Sequence, residues 1–355
     1  MSSDHRGRNT SHASWPSRRS MLTGGAAAVA AGALAFPRVA RAKPDVMVVS
    51  DAGGALNSAY RAAYYDPFTA KTGIRISNAP YSGLGKVEAM VRNQAVTEHV
   101  ANIDATEAAL AAVKGLCEPI DYSAIDKSKM LPEAAKEYYV LVDIAAYVIT
   151  WNTGSGVKPK DWADVWKAKG KKSLWKSASQ TLEVALMADG VPKDKVYPID
   201  VQRALASLTK IRNNILWWES GAQGAQLLID GETDSGATWN GRVHKPKLDG
   251  APVDFHFNQA LLVADALVVP KGVKDKSFAM DLIATFLDAK NQAVFATKIP
   301  YGPVVPQALK GLDAKTLGAL PTSPQNFPQT VFQDFDYWAR DGEKLFGAFN
   351  QWLAG

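Results

Sequence analysis

An α/β fold is what this sequence predicts. Short β-branched runs alternate with stretches whose apolar residues fall at helical spacing, as in layered α/β proteins. The composition, 47% hydrophobic and 21% charged, is that of an ordinary globular protein. The length of 355 residues is enough for two domains.

The elements follow in order. Residues 45–50 ("DVMVVS") read as a strand, and the loop "DAGGALN" leads into a helix with apolar residues at Leu56, Ala59, Tyr60, Ala63 and Tyr64, spaced i, i+3, i+4, i+7, i+8. Asp66-Pro67 restarts this helix as cap and first position, and Gly73 ends it. Residues 74–77 form a second strand, 85–95 a second helix, 99–104 a third strand and 106–113 a third helix. This is a βαβαβα unit with right-handed crossovers between parallel strands. After "YVLVDIAAYVITWNT" the character changes, with Gly154, Gly156, Lys158-Pro159 and the Trp/Lys-rich "DWADVWKAKGKKSLWKS". A second α/β region reaches about residue 257, where "NQALLVADALVVPKG" begins as an apolar strand. Helices at 277–287 and 291–297, a Pro-rich "IPYGPVVPQ" and a last helix at 337–352 complete the chain.

The formal charge of +5 is unevenly spread. Residues 1–42 hold six arginines and one acid, Asp4, so 34 basic and 34 acidic residues remain in the body. A neutral body lacks the electrostatics of a nucleic-acid binder. Within the leading segment, "SRRSML" (17–22) sets two arginines before an Ala/Gly-rich apolar run, and "ARA" (40–42) is a small-x-small cleavage site. It resembles a twin-arginine export signal, cleaved after Ala42 to release the protein into the periplasm. The single Cys117 forms no intramolecular disulfide and reads as a small core residue.

Sites for metals and cofactors lack their usual ligand patterns. Three scattered histidines (His99, His244, His256) and one cysteine follow residue 42, without an HExxH or paired CxxC, so no metal and no cofactor is expected. The GxSxG elbow, the GxxxxGK phosphate loop and a GxGxxG after a strand are absent too, so nothing asks for an enzyme.

Five motifs then occur in order: "AKTGIRI", "IDYSAID", "TWNGR", "DALVVPKG" and "IPYGP". Together they resemble the extracellular solute-binding proteins of ABC importers, in the spermidine/putrescine-binding group, over nearly all of the chain after the export segment. The resemblance implies a two-lobed periplasmic-binding-protein fold, type II-like, with the ligand in a cleft between lobes joined by crossing strands. Lobe one is then expected at 43–148 plus 266–302, and lobe two at 149–265 plus 303–355. It implies a monomer that hands a small-molecule ligand, polyamine-like or another small amine, to an ABC permease in the inner membrane.

Ligands of open α/β sheets sit beyond the carboxyl ends of strands. The loops of that kind contribute Gly54, Ser82, Asp104, Asn240 and Arg242 as candidates. Another is "ILWWESGAQGAQLLIDGE" (215–232): Trp217 and Trp218 point to opposite faces of a strand end, so one faces the core and one the cleft, with Glu219 at the rim. We take Trp218 as the cleft residue. From the resemblance, Trp239 matches the family's stacking tryptophan, while Asp265 and Glu183 match carboxylates that receive amino groups. A second stacking tryptophan of the family is Val263 here, and Asp104 and Thr106 replace its serine and tyrosine, which implies a smaller cation than spermidine.

Three alternatives stay open. Helix N-termini with open glycine amides (Gly53, Gly54, Gly221) and Arg242 favour an anion or a zwitterion. Iron-binding relatives use paired tyrosines, but Tyr64-Tyr65 fit a helix core face and Tyr138-Tyr139 a strand. An exported α/β enzyme would need a nucleophile and base that the sequence does not offer.

Overall fold

The computed structural model describes residues 43–355; the export signal read at 1–42 lies outside the described residues. Ten strands form one sheet: β1 Val46–Asp51, β2 Arg75–Pro80, β3 Val100–Asp104, β4 Val140–Asn152, β5 Lys172–Trp175, β6 Ile215–Trp218, β7 Ser235–Trp239, β8 Val253–Val268, β9 Gly302–Pro303 and β10 Val331–Phe332. The main path is β2-β1-β3-β8-β4-β7-β5-β6, with β9 on β4 and β10 on β8. β1, β2 and β3 pair in parallel, as the first three strand–helix units predict. β8 and β4 then run antiparallel to β3 and β7 and to each other, β10 joins β8 in parallel, and β7, β5 and β6 resume parallel pairing.

Two long strands make the fold two-lobed. β4 is buried at all 13 positions, as a near-continuous apolar run covered on both faces must be. Its residues serve two separate cores: Val140, Leu141, Val142 and Ile144 pack with β1, β3 and the tyrosine helix, whereas Ile149 and Trp151 pack with Trp162, Leu182 and Trp218. β8 also serves both cores, with Phe257, Ala260 and Leu262 in the first and Leu261 in the second, and near its middle Gln259 adopts φ 56° where the β4–β8 register jumps. Trp162 locks this irregularity, donating its indole N–H to the Gln259 carbonyl at 2.9 Å. The strand begins at Val253, five residues before the expected start, because its first half already pairs with β4 through Asp254 and Phe255.

The first helix does not restart at Asp66. Gly54–Tyr60 is α-helical, Arg61–Tyr65 is a π-helix and Asp66–Thr72 continues as α-helix, with Asp66 itself helical and Gly73 closing it at φ 72°. The wider π turn leaves Tyr60, Tyr64 and Tyr65 all buried on the inner face. Tyr138 and Tyr139 precede β4 rather than lying in it. The last helix, Phe335–Ala354, spans both cores: Asp336 bonds Lys136 and Tyr139, while Trp338 and Phe349 pack in the second core.

Candidate functional site

Strand directions dictate where loops converge. β1, β2 and β3 point their carboxyl ends one way along β4, and β5, β6 and β7 point theirs the opposite way. Asp104 ends β3 level with Asp143 of β4, through Asp265 of β8 between them; Trp239 ends β7 level with Tyr147. Four residues of strand separate the two levels, about 13 Å at roughly 3.4 Å per residue. The two sets of loops therefore face one another across a gap floored by β4 and β8.

On the lobe-two side the wall is aromatic. Trp175, Trp218 and Trp239 each end a strand, and the three indoles contact one another: Trp175 stacks on Trp218 at 6.0 Å, and Trp239 meets both edge-on at 5.3 and 5.2 Å. Trp175 and Trp239 are half-buried. Trp218 lies fully buried behind them, its N–H given to the Ala237 carbonyl at 3.1 Å. The expectation that Trp218 lines the cleft is corrected: it supports the wall. Trp217 takes the opposite face, as a strand end requires, and packs on Phe349 and Trp352 of the last helix. Gly221 and Gly224 leave the room these indoles occupy; a Cβ at 224 would come 2.9 Å from the Trp218 ring. Gly221 is buried under Trp239, so its function is clearance rather than an open amide. Glu219 is exposed and paired with Lys176 at 2.8 Å.

The floor is acidic. Asp104, Asp265 and Asp143 are register neighbours on β3, β8 and β4. Burial pushes Asp104 up to about 6, against bonds from Thr106 that hold it down. Asp265 is raised well above the carboxylate range, first by burial and then by the charges of Asp143, Asp104 and Asp51, while Arg242 pulls it down. It retains access to solvent, being only partly covered. Arg242 is exposed one turn beyond Trp239, and Tyr301 packs on Gly241 close enough to feel Asp265, Asp143 and Arg242. From the other lobe, the exposed Tyr81 donates to Glu107 and accepts from the Asp104 amide at 3.1 Å. Asp51 is a different kind of acid, buried and saturated by Gly53, Asn57, Tyr65 and Asn78.

Of the sequence-predicted residues, the fold thus brings Asp265, Asp104, Arg242 and Trp239 to one gap, with the exposed Gly54 opening the helix that follows β1. Three others are internally committed. Glu183 is completely buried, its Oε1 taking bonds from Tyr197, Gln333 and Trp338. Asn240 is completely buried and tethers the Ala146 amide to the Pro300 carbonyl. The Ser82 hydroxyl is given to Glu98. Glu183 and Asn240, expected in the cleft, are corrected to framework residues on this ground, since no solvent-facing atom is left to meet a ligand. Sequence reasoning passed over Trp175, Tyr301, Tyr81 and Asp143. Trp175 ends "KSLW" as Trp218 ends "ILWW", which was the available signal.

A separate concavity of about 360 Å3 on lobe two is lined by His244, Lys247, Phe255 and Lys315 among others. It includes none of the strand-end residues. Among the described residues no group of three or more His, Cys, Asp or Glu is arranged to hold a metal ion, and no helix is long and apolar enough to cross a membrane.

The family profile described as bacterial extracellular solute-binding protein matches residues 63–322. The chain belongs to this family. The gamma-aminobutyric acid-binding protein of Pseudomonas aeruginosa is 33% identical over 332 residues, covering 90% of this chain and 94% of the relative. Spermidine/putrescine-binding periplasmic protein 1 of Haemophilus influenzae is 25% identical over 292 residues, covering 78% and 80%. The solved structure of the Atu4243 GABA receptor superposes with TM-score 0.81 at 37% identity, over 86% of this chain and 97% of that one. As a bacterial extracellular solute-binding protein, the chain is the ligand-capturing component of an ABC importer and not an enzyme. The spermidine/putrescine-binding proteins are the more distant of these relatives.

Proposed function

We propose that this solute-binding protein captures γ-aminobutyrate or a closely similar ω-amino acid: Asp265 receives the ammonium group, Arg242 the carboxylate, and Trp239 with Trp175 the methylenes. One observation carries the reading. Arg242 lies near enough to Asp265 to lower its pKa and favour its carboxylate, so an opposite pair of charges is offered at a half-buried aromatic wall. A zwitterion satisfies both, whereas a diamine brings a second cation to the guanidinium. The 33% and 37% identical relatives, whose names specify GABA, support the same ligand. A diamine is the second reading, favoured by the excess of acids, since Asp51, Asp104 and Asp143 add their charges to that of Asp265.

Calorimetric titration with GABA, putrescine and succinate distinguishes them. Losing one partner of a desolvated charge pair costs about 2–5 kcal/mol, roughly 30-fold to several thousand-fold in affinity. Asp265→Asn should weaken GABA and putrescine alike by that factor. Arg242→Gln should weaken GABA by a similar factor and leave putrescine unchanged or tighter. Tight putrescine binding without GABA heat, indifferent to Arg242→Gln, would replace this reading with the diamine. Closure then follows as a population shift, because only a ligand touching both lobes stabilises the closed state over the open one. Lobes at 43–148 plus 266–302 and at 149–265 plus 303–355 remain our proposal, as does a monomeric state. Export by "SRRSML" is proposed likewise. Arg18 and Arg19 changed together to Lys should leave unprocessed precursor in the cytoplasm, and the exported form should begin at Lys43 by mass analysis.

A further inference from the structure

Asp143 is an acid that the sheet has no ordinary reason to hold. It sits in β4 among twelve other buried residues and is itself 1% exposed. Its Oδ2 accepts the hydroxyl of Tyr60, which in turn accepts from the Asn102 amide. Its Oδ1 is buried without a hydrogen-bond partner, and so is the Oδ1 of Asn102. The Asp265 amide lies nearby and helps hold the carboxyl down, without closing a bond on Oδ1. Asp265 is its direct cross-strand neighbour, and like charges directly opposite one another in a sheet are destabilising.

Ionisable groups face this pair from five other elements of the fold. Asp104 and Asp51 face it from β3 and β1, Tyr60 and Tyr64 from the first helix, Tyr301 from the segment before β9, and Arg242 from the helix after β7. Arg242 acts on Asp265 and Tyr301, on the solvent side. The buried side holds phenols and acids, so two adjacent anions would lack a counter-charge there.

We infer that Asp143 is a charge-setting residue of the ligand site: it shares one proton with Asp265 at neutral pH, so that the Asp143–Asp265 pair presents one negative charge, matched to one ammonium group. A proton on this partnerless oxygen turns it into a donor on the strand position opposite Asp265. Burial favours the neutral acid in the same direction. The linkage has a definite sign. An ammonium group at Asp265 disfavours a proton on Asp143, so ligand affinity rises with pH as that proton is lost. The inference rests on the ligand reading above only for its second measurement.

The first measurement needs no ligand. In the purified protein carrying 13C-labelled aspartate carboxyls, one resonance should titrate at about 7, and that titration should vanish in Asp143→Asn. Tyr60→Phe removes a bond that favours the anion, and should move the midpoint upward even if Asp143→Asn folds poorly. Every aspartate carboxyl titrating in the ordinary range, with Asp143→Asn unchanged, would overturn the inference. In calorimetry, GABA affinity should rise several-fold from pH 6 to 8 in the wild type and clearly less in Asp143→Asn; a wild-type slope retained by the variant also overturns it. A titration near neutrality with no GABA heat at any pH would instead count against the ligand reading and leave the charge-setting role standing.

Discussion

Trp239 rests directly on Gly221: a Cβ at residue 221 would come within 2.7 Å of indole Cε3 and 3.1 Å of the Arg242 Cγ. The glycine is there for space. Gly221 opens the helix Gly221–Ile229 after its Ser220 cap, and the backbone would accept alanine. Gly221→Ala should therefore act as an overpacking change of about 1–3 kcal/mol, displacing Trp239 and Arg242 together. The check is a thermal melt beside calorimetry. Ligand affinity should fall more than stability does, whereas Gly224→Ala, beneath buried Trp218, should show the reverse.

Four indoles at and beside the strand ends predict three different phenotypes. Trp218→Ala empties a fully buried site and should cost about 3–5 kcal/mol in denaturant unfolding. Trp175→Ala and Trp239→Ala remove half-buried wall, with about 1–3 kcal/mol expected in ligand binding. Trp217→Ala loosens the last helix and should leave affinity untouched. Equal affinity losses at 217 and 239 would contradict the assignment of faces.

Much of this arrangement was legible in the sequence, and the illegible part has a common cause. Period-2 logic at "ILWW" separated Trp217 from Trp218 correctly, since strand faces alternate whatever the fold. That neither indole reaches the cleft depended on Trp175 and Trp239, which cover Trp218, and on the C-terminal helix, whose packing on Trp217 no local pattern announces. Asp265 and Trp239 were flagged by a resemblance, and strand order then brought their elements to one gap. Glu183 carried the same resemblance, yet Trp338 and Gln333 from the C-terminal region cover it. Asp143 went unnoticed although an acid inside thirteen buried strand residues is itself unusual.

Glu183 gives a pH prediction. Burial raises its pKa above the ordinary glutamate range, against bonds from Gln333, Trp338 and Tyr197 that lower it. A carboxyl whose folded value is raised binds its proton more tightly in the native state. Its stabilising contribution is complete below the unfolded-state value and is lost as pH rises through the folded one. Glu183→Gln keeps the acceptor on Oε1 and puts an amide at the Oε2 position, which lacks a partner. The variant should lose that segment of pH dependence, gaining on the wild type in thermal stability as pH rises above the ordinary glutamate range. Glu183→Ala, which strands three donors, should be destabilised at every pH by about 2–4 kcal/mol. A wild type and Glu183→Gln with parallel melting curves against pH would mean that Glu183 ionises in the folded state as readily as in the unfolded one.

Asn240 predicts how far the site depends on its frame. Its side chain accepts from the Ala146 amide at 3.0 Å and donates to the Pro300 carbonyl at 2.6 Å. It thereby joins β4 to the segment that carries Tyr301 and β9. Directly before it in the chain is Trp239; Gly241, which gives Tyr301 its seat, and Arg242 follow. Asn240→Ala takes the side-chain partner from the buried Ala146 amide and the partly buried Pro300 carbonyl, a cost of about 2–5 kcal/mol for the two together. Asn240→Asp keeps the acceptor toward Ala146 but sets a fully buried carboxylate against the Pro300 carbonyl, so it should be no better tolerated near neutral pH. Both variants should weaken ligand through misplacement of Trp239 and Arg242 rather than through a lost ligand contact. The distinguishing measurement is a double-mutant cycle with Arg242→Gln. If Asn240 acts by holding Arg242 in position, the affinity losses of Asn240→Ala and Arg242→Gln should be less than additive. Full additivity would mean that the tether serves stability alone.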